Sequence, residues 1–183
     1  MGCGRWRWTC GVAGSAASTT ACRSRRWWWS TRQVVKGGRA GGVFHEWRAK
    51  YRLGGAKRVV AVDYVGLAVG AGVVGARRRE VGAAGDLLVV LLPRHPGVLA
   101  VLGDWGLRGL EGPLVGEYGV GVEIKHGDRA KGGFKPVRPL WGVEGCFAEL
   151  GRWRRLARGL EATPAWARAW MQVACVGWLL TMI

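Results

Sequence analysis

AKRVVAVDYVGLAVGAGVV, residues 56–74, holds two apolar runs on either side of Asp63 to Gly66. β-Branched side chains suit a pleated, half-buried surface, and Asp and Gly are turn formers. The stretch therefore predicts a β-hairpin. Working downstream, EVGAAGDLLVVLLPRHP (residues 80–96) reads as a helix ending at Pro93, despite its glycines. GVLAVLGD (residues 97–104) is a short apolar strand that ends at Asp104. LRGLEGPLVGEYG (residues 107–119) is a broken helical segment, VGVEIK (residues 120–125) a strand, and KGGFKPVRP (residues 131–139) a loop. Two helices close the chain, near 141–160 and 164–182. The order of strand pair, helix, strand, helix, strand, helix predicts an α/β layer fold with a mixed sheet.

Upstream, the pattern is lost. Residues 1 to about 35 sustain neither a helical nor a strand period, and Trp27, Trp28 and Trp29 stand in a row beside arginines. A basic aromatic arm could bind nucleic acid, since arginines meet phosphates and indoles stack on bases. Trp, Arg, Gly and Cys are also what GC-rich DNA yields out of frame. The expectation is a poorly ordered basic leader, irregular and out of frame, that stays apart from a core spanning residues 36–183.

A chain of 183 residues can bury one real core. It carries 28 Lys and Arg against 12 Asp and Glu, for a formal net charge of +16. The excess is spread along the chain, which suits a polyanion partner, although a GC-rich genome also inflates arginine. The five cysteines have no Cys-x-x-Cys pair, and with only His45, His95 and His126 there is no zinc pattern. Their scatter fits a reducing compartment better than a disulfide framework. No apolar run follows the basic start, so a secretory signal is not expected. The apolar end, AWMQVACVGWLLTMI, has 15 residues, short of the roughly 20 that span a bilayer. It reads as a buried terminal helix rather than a membrane anchor.

Because acids are scarce, each can be weighed singly. On the helix expected from Trp141, apolar residues Val143, Phe147, Leu150, Trp153, Leu156 and Leu160 recur at spacings of three and four, forming one stripe. Glu144 lies beside it. Arg155, eleven residues on, would share its face after three turns, with Arg152 and Arg158 nearby. An acid on a basic face repels phosphate unless a cation sits between them. Otherwise it stabilises the helix dipole. Asp104 falls at the carboxyl end of a buried strand, where α/β sheets place ligand-binding groups, or it is an N-cap. The two acids in a basic domain suit metal-dependent phosphodiester chemistry, with hard oxygens for Mg²⁺.

LGDWGLRG (residues 102–109) and GGFKPVRPLWGVEGCFAELGRWRRLARGLEATPAWARAWMQVACVGWLL (residues 132–180) resemble the C-terminal half of bacterial insertion-sequence transposases of the DDE type. The 56–74 stretch is similar to the hairpin preceding it. The resemblance spans roughly residues 36–183. It implies an RNase H-like mixed sheet flanked by helices, with Asp104 and Glu144 as the second and third acids of a metal-binding catalytic triad. It also implies Mg²⁺ or Mn²⁺ as cofactor, DNA (transposon ends and target) as partner, no membrane, and a cytoplasmic, nucleoid-associated location. A homodimer is left open. Arg152, Arg154, Arg155 and Arg158 would contact DNA phosphates.

The sequence departs from the family's pattern. In STRQVVKGG (residues 30–38), Thr31 stands where the first acid falls. Leu107 replaces the aromatic after the second acid and Gly145 the basic residue after the third. Asp63 reads as a turn residue, and the upstream DNA-binding region is absent. The expectation is a transposase or its remnant, with impaired DNA strand cleavage and transfer. The alternatives are a non-catalytic basic DNA-binding protein that keeps the fold, and a spurious reading frame, which the leader supports for residues 1–35 only.

Overall fold

The computed structural model describes residues 26–38, 44–49, 52–125 and 141–181. The strands are β1 (Arg26–Lys36), β2 (Glu46–Arg48), β3 (Leu53–Val62), β4 (Ala68–Gly75), β5 (Ala100–Gly103) and β6 (Gly121–Ile124). The helices are α1 (Glu80–Leu91), α2 (Glu111–Tyr118), α3 (Trp141–Arg152) and α4 (Pro164–Leu180).

The expected hairpin is β3–β4, antiparallel from Ala56 opposite Gly75 to Val62 opposite Ala68. Asp63 makes the turn: its Oδ1 accepts from the N–H groups of Val65 and Leu67, both at 2.9 Å. Gly66 takes φ +91°, a backbone region that side chains disfavour. The sheet order is β2-β3-β1-β5-β6, with β4 also on β3. β2 pairs with residues 53–55 of β3 and so continues the edge that β4 forms. β1 runs antiparallel to β3 and parallel to β5, which is parallel to β6. The sheet is mixed, as expected.

β3 is buried from Gly55 to Val62 because both faces of the sheet are covered. Val59 and Ala61 join a core with Ala83, Ala84 and Leu88 of α1 and Val101 of β5. Ala56, Val60 and Val62 face the other way, into a core with Val143, Phe147 and Leu150 of α3 and Met171 of α4. This is strand alternation with an apolar layer on each side.

The leader boundary is corrected. Residues 26–35 are not apart from the core: they form most of β1, in the middle of the sheet. Tryptophan and valine favour strands. The period was hidden because β1 is irregular: Ser30 pairs with Val60 and Gln33 with Arg58, so Thr31 and Arg32 together oppose Val59 in a bulge. Residues 1–25, and the loop expected at 131–139, lie outside the described residues.

The helix expected over 141–160 is also corrected. α3 ends at Arg152, and the chain turns through 153–158. Trp153 leaves the stripe to lay its indole against Gly177 of α4. Leu156 is buried, and Gly159 reaches the end of β1: its N–H donates to Lys36 O at 2.9 Å, and its own carbonyl accepts from Gly38 N at 2.7 Å. A straight helix could not both cover the sheet and close this bridge. α4 begins as its sequence suggests, with Thr163 accepting from Trp166 N and Pro164 in the first turn.

Three polar residues sit poorly in this interior. Arg58, 5% exposed, has no ion pair among the described residues, and desolvation pushes its guanidinium down to about 10. Its cross-strand neighbour Gln33 has a buried Oε1 with no hydrogen-bond partner. His45 is wedged between Gly37 and Gly159, and both of its ring nitrogens are buried and unpartnered. Burial lowers its pKa below 6.5.

Leu88→Ala and Leu150→Ala, one in each core, should each cost about 2–5 kcal/mol in chemical denaturation. Arg58→Met should be neutral or stabilising by up to about 4 kcal/mol, because it removes an uncompensated buried charge. The His45 imidazole must fold neutral. Its contribution is complete above the unfolded pKa of 6.5 and is lost as pH falls below that value. The denaturation midpoint should therefore drop between pH 7 and pH 5, and less steeply in His45→Leu.

Candidate active site and basic surface

β5 is short, buried and ends at Gly103. Asp104 is still extended, with φ −88° and ψ −174°, and then caps the 3₁₀ turn Trp105–Leu107 by accepting from Gly106 N at 2.8 Å. The Asp is 7% exposed. Val101 and Leu107 pack in the α1 core, and Gly103 abuts Leu107.

β1 lies beside this point. The parallel register pairs Arg26 with Ala100 and Trp28 with Leu102. Carried two residues further, it sets Ser30 level with Asp104, with Thr31 next in the bulge. No carboxylate comes from this part of β1, because RWWWSTRQVVK contains none.

Glu144 lies in the first turn of α3 and is exposed. α3 packs on β1 and β3, so its axis lies to one side of β5. Its start is fixed by a close backbone approach: a Cβ on Gly142 would lie 3.1 Å from the Gly66 Cα in the hairpin turn. An acid in a first helical turn also complements the dipole, as expected for the structural role.

A carboxylate that sequence reading missed is Glu80, in the first turn of α1. A Cβ added at Gly106 would run into both Glu80 Oε2 and Asp104 Oδ1, so the two acids converge on that glycine. Glu80 stands in an arginine-rich run with no local signature, and only the packing of α1 beside the β5 turn reveals it. Trp105 and Arg108 were missed as well. The Arg108 guanidinium sits 3.8 Å from the Trp105 ring centroid, at the rim beside Asp104.

The expected divalent ion needs hard oxygen ligands. Among the described residues, no group of three or more His, Cys, Asp or Glu side chains gathers to hold a metal. Glu80 and Asp104 supply two carboxylates, which is short of the set that a pair of ions requires. The residues present do not fit a two-metal centre.

The basic cluster is less free than its sequence suggests. Arg155 is not on α3 and does not share the face of Glu144. It donates to Glu161 at 2.7 Å, the pair that raises its pKa, and it lies 5.3 Å from the Trp170 ring centroid. Arg152 pairs with Glu149 at 3.2 Å, within one helical turn. Arg154 and Arg158 are exposed and form no ion pair among the described residues. No described helix is long and apolar enough to cross a membrane.

No family model and no curated protein matches the chain. Among solved structures it is similar to the catalytic core domain of BIV integrase, with a TM-score of 0.51 and 16% identity. The match covers 84% of this chain and 82% of that one. The fold is therefore RNase H-like, a mixed sheet flanked by helices, the architecture of a retroviral integrase catalytic core.

The capping role of Asp104 can be separated from any chemical one. Asp104→Ala should cost about 1 kcal/mol through the lost cap. Asp104→Asn should recover most of that, because its amide oxygen can still accept from Gly106 N. Urea titration of both variants checks the assignment.

Proposed function

We propose that the chain is the catalytic part of a DDE-type transposase, or a remnant of one, acting on DNA phosphodiesters. The carrying observation is an RNase H-like sheet with Asp104 at the carboxyl end of β5, beside the central strand β1. Ligand-binding groups of such sheets gather at carboxyl strand ends. On this reading Asp104 and Glu144 are the acids that face a divalent ion, Mg²⁺ or Mn²⁺, and Thr31 on β1 contributes none. Strand cleavage and transfer are accordingly impaired. The arginines from 152 to 158 meet phosphates, with Arg154 and Arg158 the more available. The location that goes with this reading is the cytoplasm, at the nucleoid. A homodimer fits as well: Trp166, Val173, Val176 and Leu180 line an exposed, uncharged face of α4 at heptad spacing, which a second copy would cover.

A second reading is a basic DNA-binding protein that keeps the fold without the chemistry. The lack of any three-acid cluster among the described residues favours it.

One set of assays separates the two. Purified chain, Thr31→Asp and Glu144→Ala are incubated with a labelled duplex and Mg²⁺ or Mn²⁺. Activity gained only in Thr31→Asp supports the impaired transposase. Robust cleavage by the unchanged chain, lost in Glu144→Ala, would mean that the acid set is complete by another route. No cleavage by any variant, with binding kept, favours the second reading. Binding should weaken with salt, log affinity falling by about 0.9 per decade of salt for each neutralised phosphate. A flat salt response would exclude both. Sedimentation equilibrium that returns only monomer would remove the homodimer.

A further inference from the structure

A cleft of about 530 Å³ opens where α3 ends, between the turn that follows it and the last turn of α4. Sites for small organic groups run from roughly 300 to 1,000 Å³. α3 and its turn contribute Glu149, Arg152, Trp153 and Arg154, and Trp178 and Thr181 stand opposite at the end of α4. Trp153 is fixed by its own backbone. Its N–H donates to Leu150 O at 3.3 Å, and its carbonyl accepts from Leu156 N at 2.8 Å and Ala157 N at 3.1 Å. Leu156 is buried and anchors that turn in the core. The indole rests against Gly177: a Cβ there would come 2.6 Å from two atoms of its benzo ring, so a side chain at 177 would displace it. Trp153 is nevertheless 38% exposed. Trp178 is half-buried against the α3–α4 core. The cleft thus presents a fixed aromatic surface to solvent.

The charges around that surface decide what it can hold. α3 and α4 both end here, and the last carbonyls of a helix carry partial negative charge. Glu149 adds a carboxylate, paired with Arg152 at 3.2 Å. An anion deep in the cleft would face these acceptors, whereas a neutral ring bearing amino groups would not be repelled. Arg154 lines the same cleft, exposed and with no ion pair among the described residues. A group that is flat and uncharged at one end and anionic at the other satisfies both conditions. A nucleotide has that build. In a duplex its base is already stacked and paired, so only an unpaired nucleotide can offer a face to an indole.

We propose that this cleft holds one unpaired nucleotide of a single DNA strand, its base stacked on Trp153 and its phosphate on Arg154. The proposal rests on the reading of the chain as a DNA-binding protein, and adds to it a contact that phosphate affinity alone does not give. Exposed arginines bind any polyanion. An indole in a cleft separates unpaired from paired strands, because every base has a π-face but a duplex keeps it covered.

The test measures, at one salt concentration, binding of the full chain to a short labelled single strand and to a strand of the same length whose sugars carry no bases. The two have the same phosphates. The base-bearing strand should bind about 5- to 150-fold more tightly, the factor that one stacked base gives. Trp153→Ala should remove that difference and leave duplex binding unchanged, which also reports that the variant folds. A strand carrying iodouracil, irradiated on the unsubstituted chain, should cross-link to Trp153 or Trp178, so the site is located even if that variant folds poorly. Equal affinity for the two strands, or cross-links only outside the cleft, with duplex binding and its salt response intact, would overturn this proposal alone. Deoxyadenosine monophosphate that displaces the strand at equal concentration would make a free nucleotide the occupant and overturn it as well. Loss of binding to duplex and single strands alike would overturn the DNA-binding reading with it.

Discussion

The structure depends on β3 being buried on both faces. A strand buried on each side must be covered twice, and among the described residues no other strand has so many consecutive buried positions. α1 covers the Val59 and Ala61 side, and α3 with α4 covers the Ala56, Val60 and Val62 side. β1 and β4 then satisfy its backbone on either edge. Each layer exists because β3 has no face that tolerates water.

From that constraint the position of the acids follows. β1 must lie against β3, and β5 against β1, so the end of β5 opens beside the irregular stretch of β1. Asp104 sits there because the strand ends and a 3₁₀ turn begins, which the Asp itself caps. α1 brings Glu80 to the same glycine from its own side. A capping carboxylate and a convergent second acid make a polar end to an apolar strand. They do not make a complete metal centre.

Charge is distributed by the same geometry. A formal charge of +16 has to be spread over the surface, and the few acids available are used to pair it locally. Glu149, Glu161 and Asp86 hold Arg152, Arg155 and Arg78. Such exposed pairs contribute little stability, but they reduce the number of arginines open to a phosphate. Lys57 and Arg58, the exceptions, are held inside the fold by their place on β3.

The hairpin, the short strand to Asp104, the helix after Glu80 and the terminal helix were legible in the sequence. Each is a local matter: runs of β-branched residues, a turn residue between two runs, a long apolar stretch at the end. Asp63 could be read as a turn residue because its role needs only its own neighbours. The end of α3 at Arg152 could not be read, since its apolar stripe continues to Leu160 and only the Gly159 bridge to β1 interrupts it. β1 was hidden because a bulge breaks its period and its partners are distant in sequence. The convergence of Glu80 on Asp104 was likewise beyond reach. The sequence alone determined the β3–β4 hairpin, β5 and the terminal helix, because period and turn chemistry are short-range. Only the tertiary structure decided which acids meet, because that depends on how layers pack across β3.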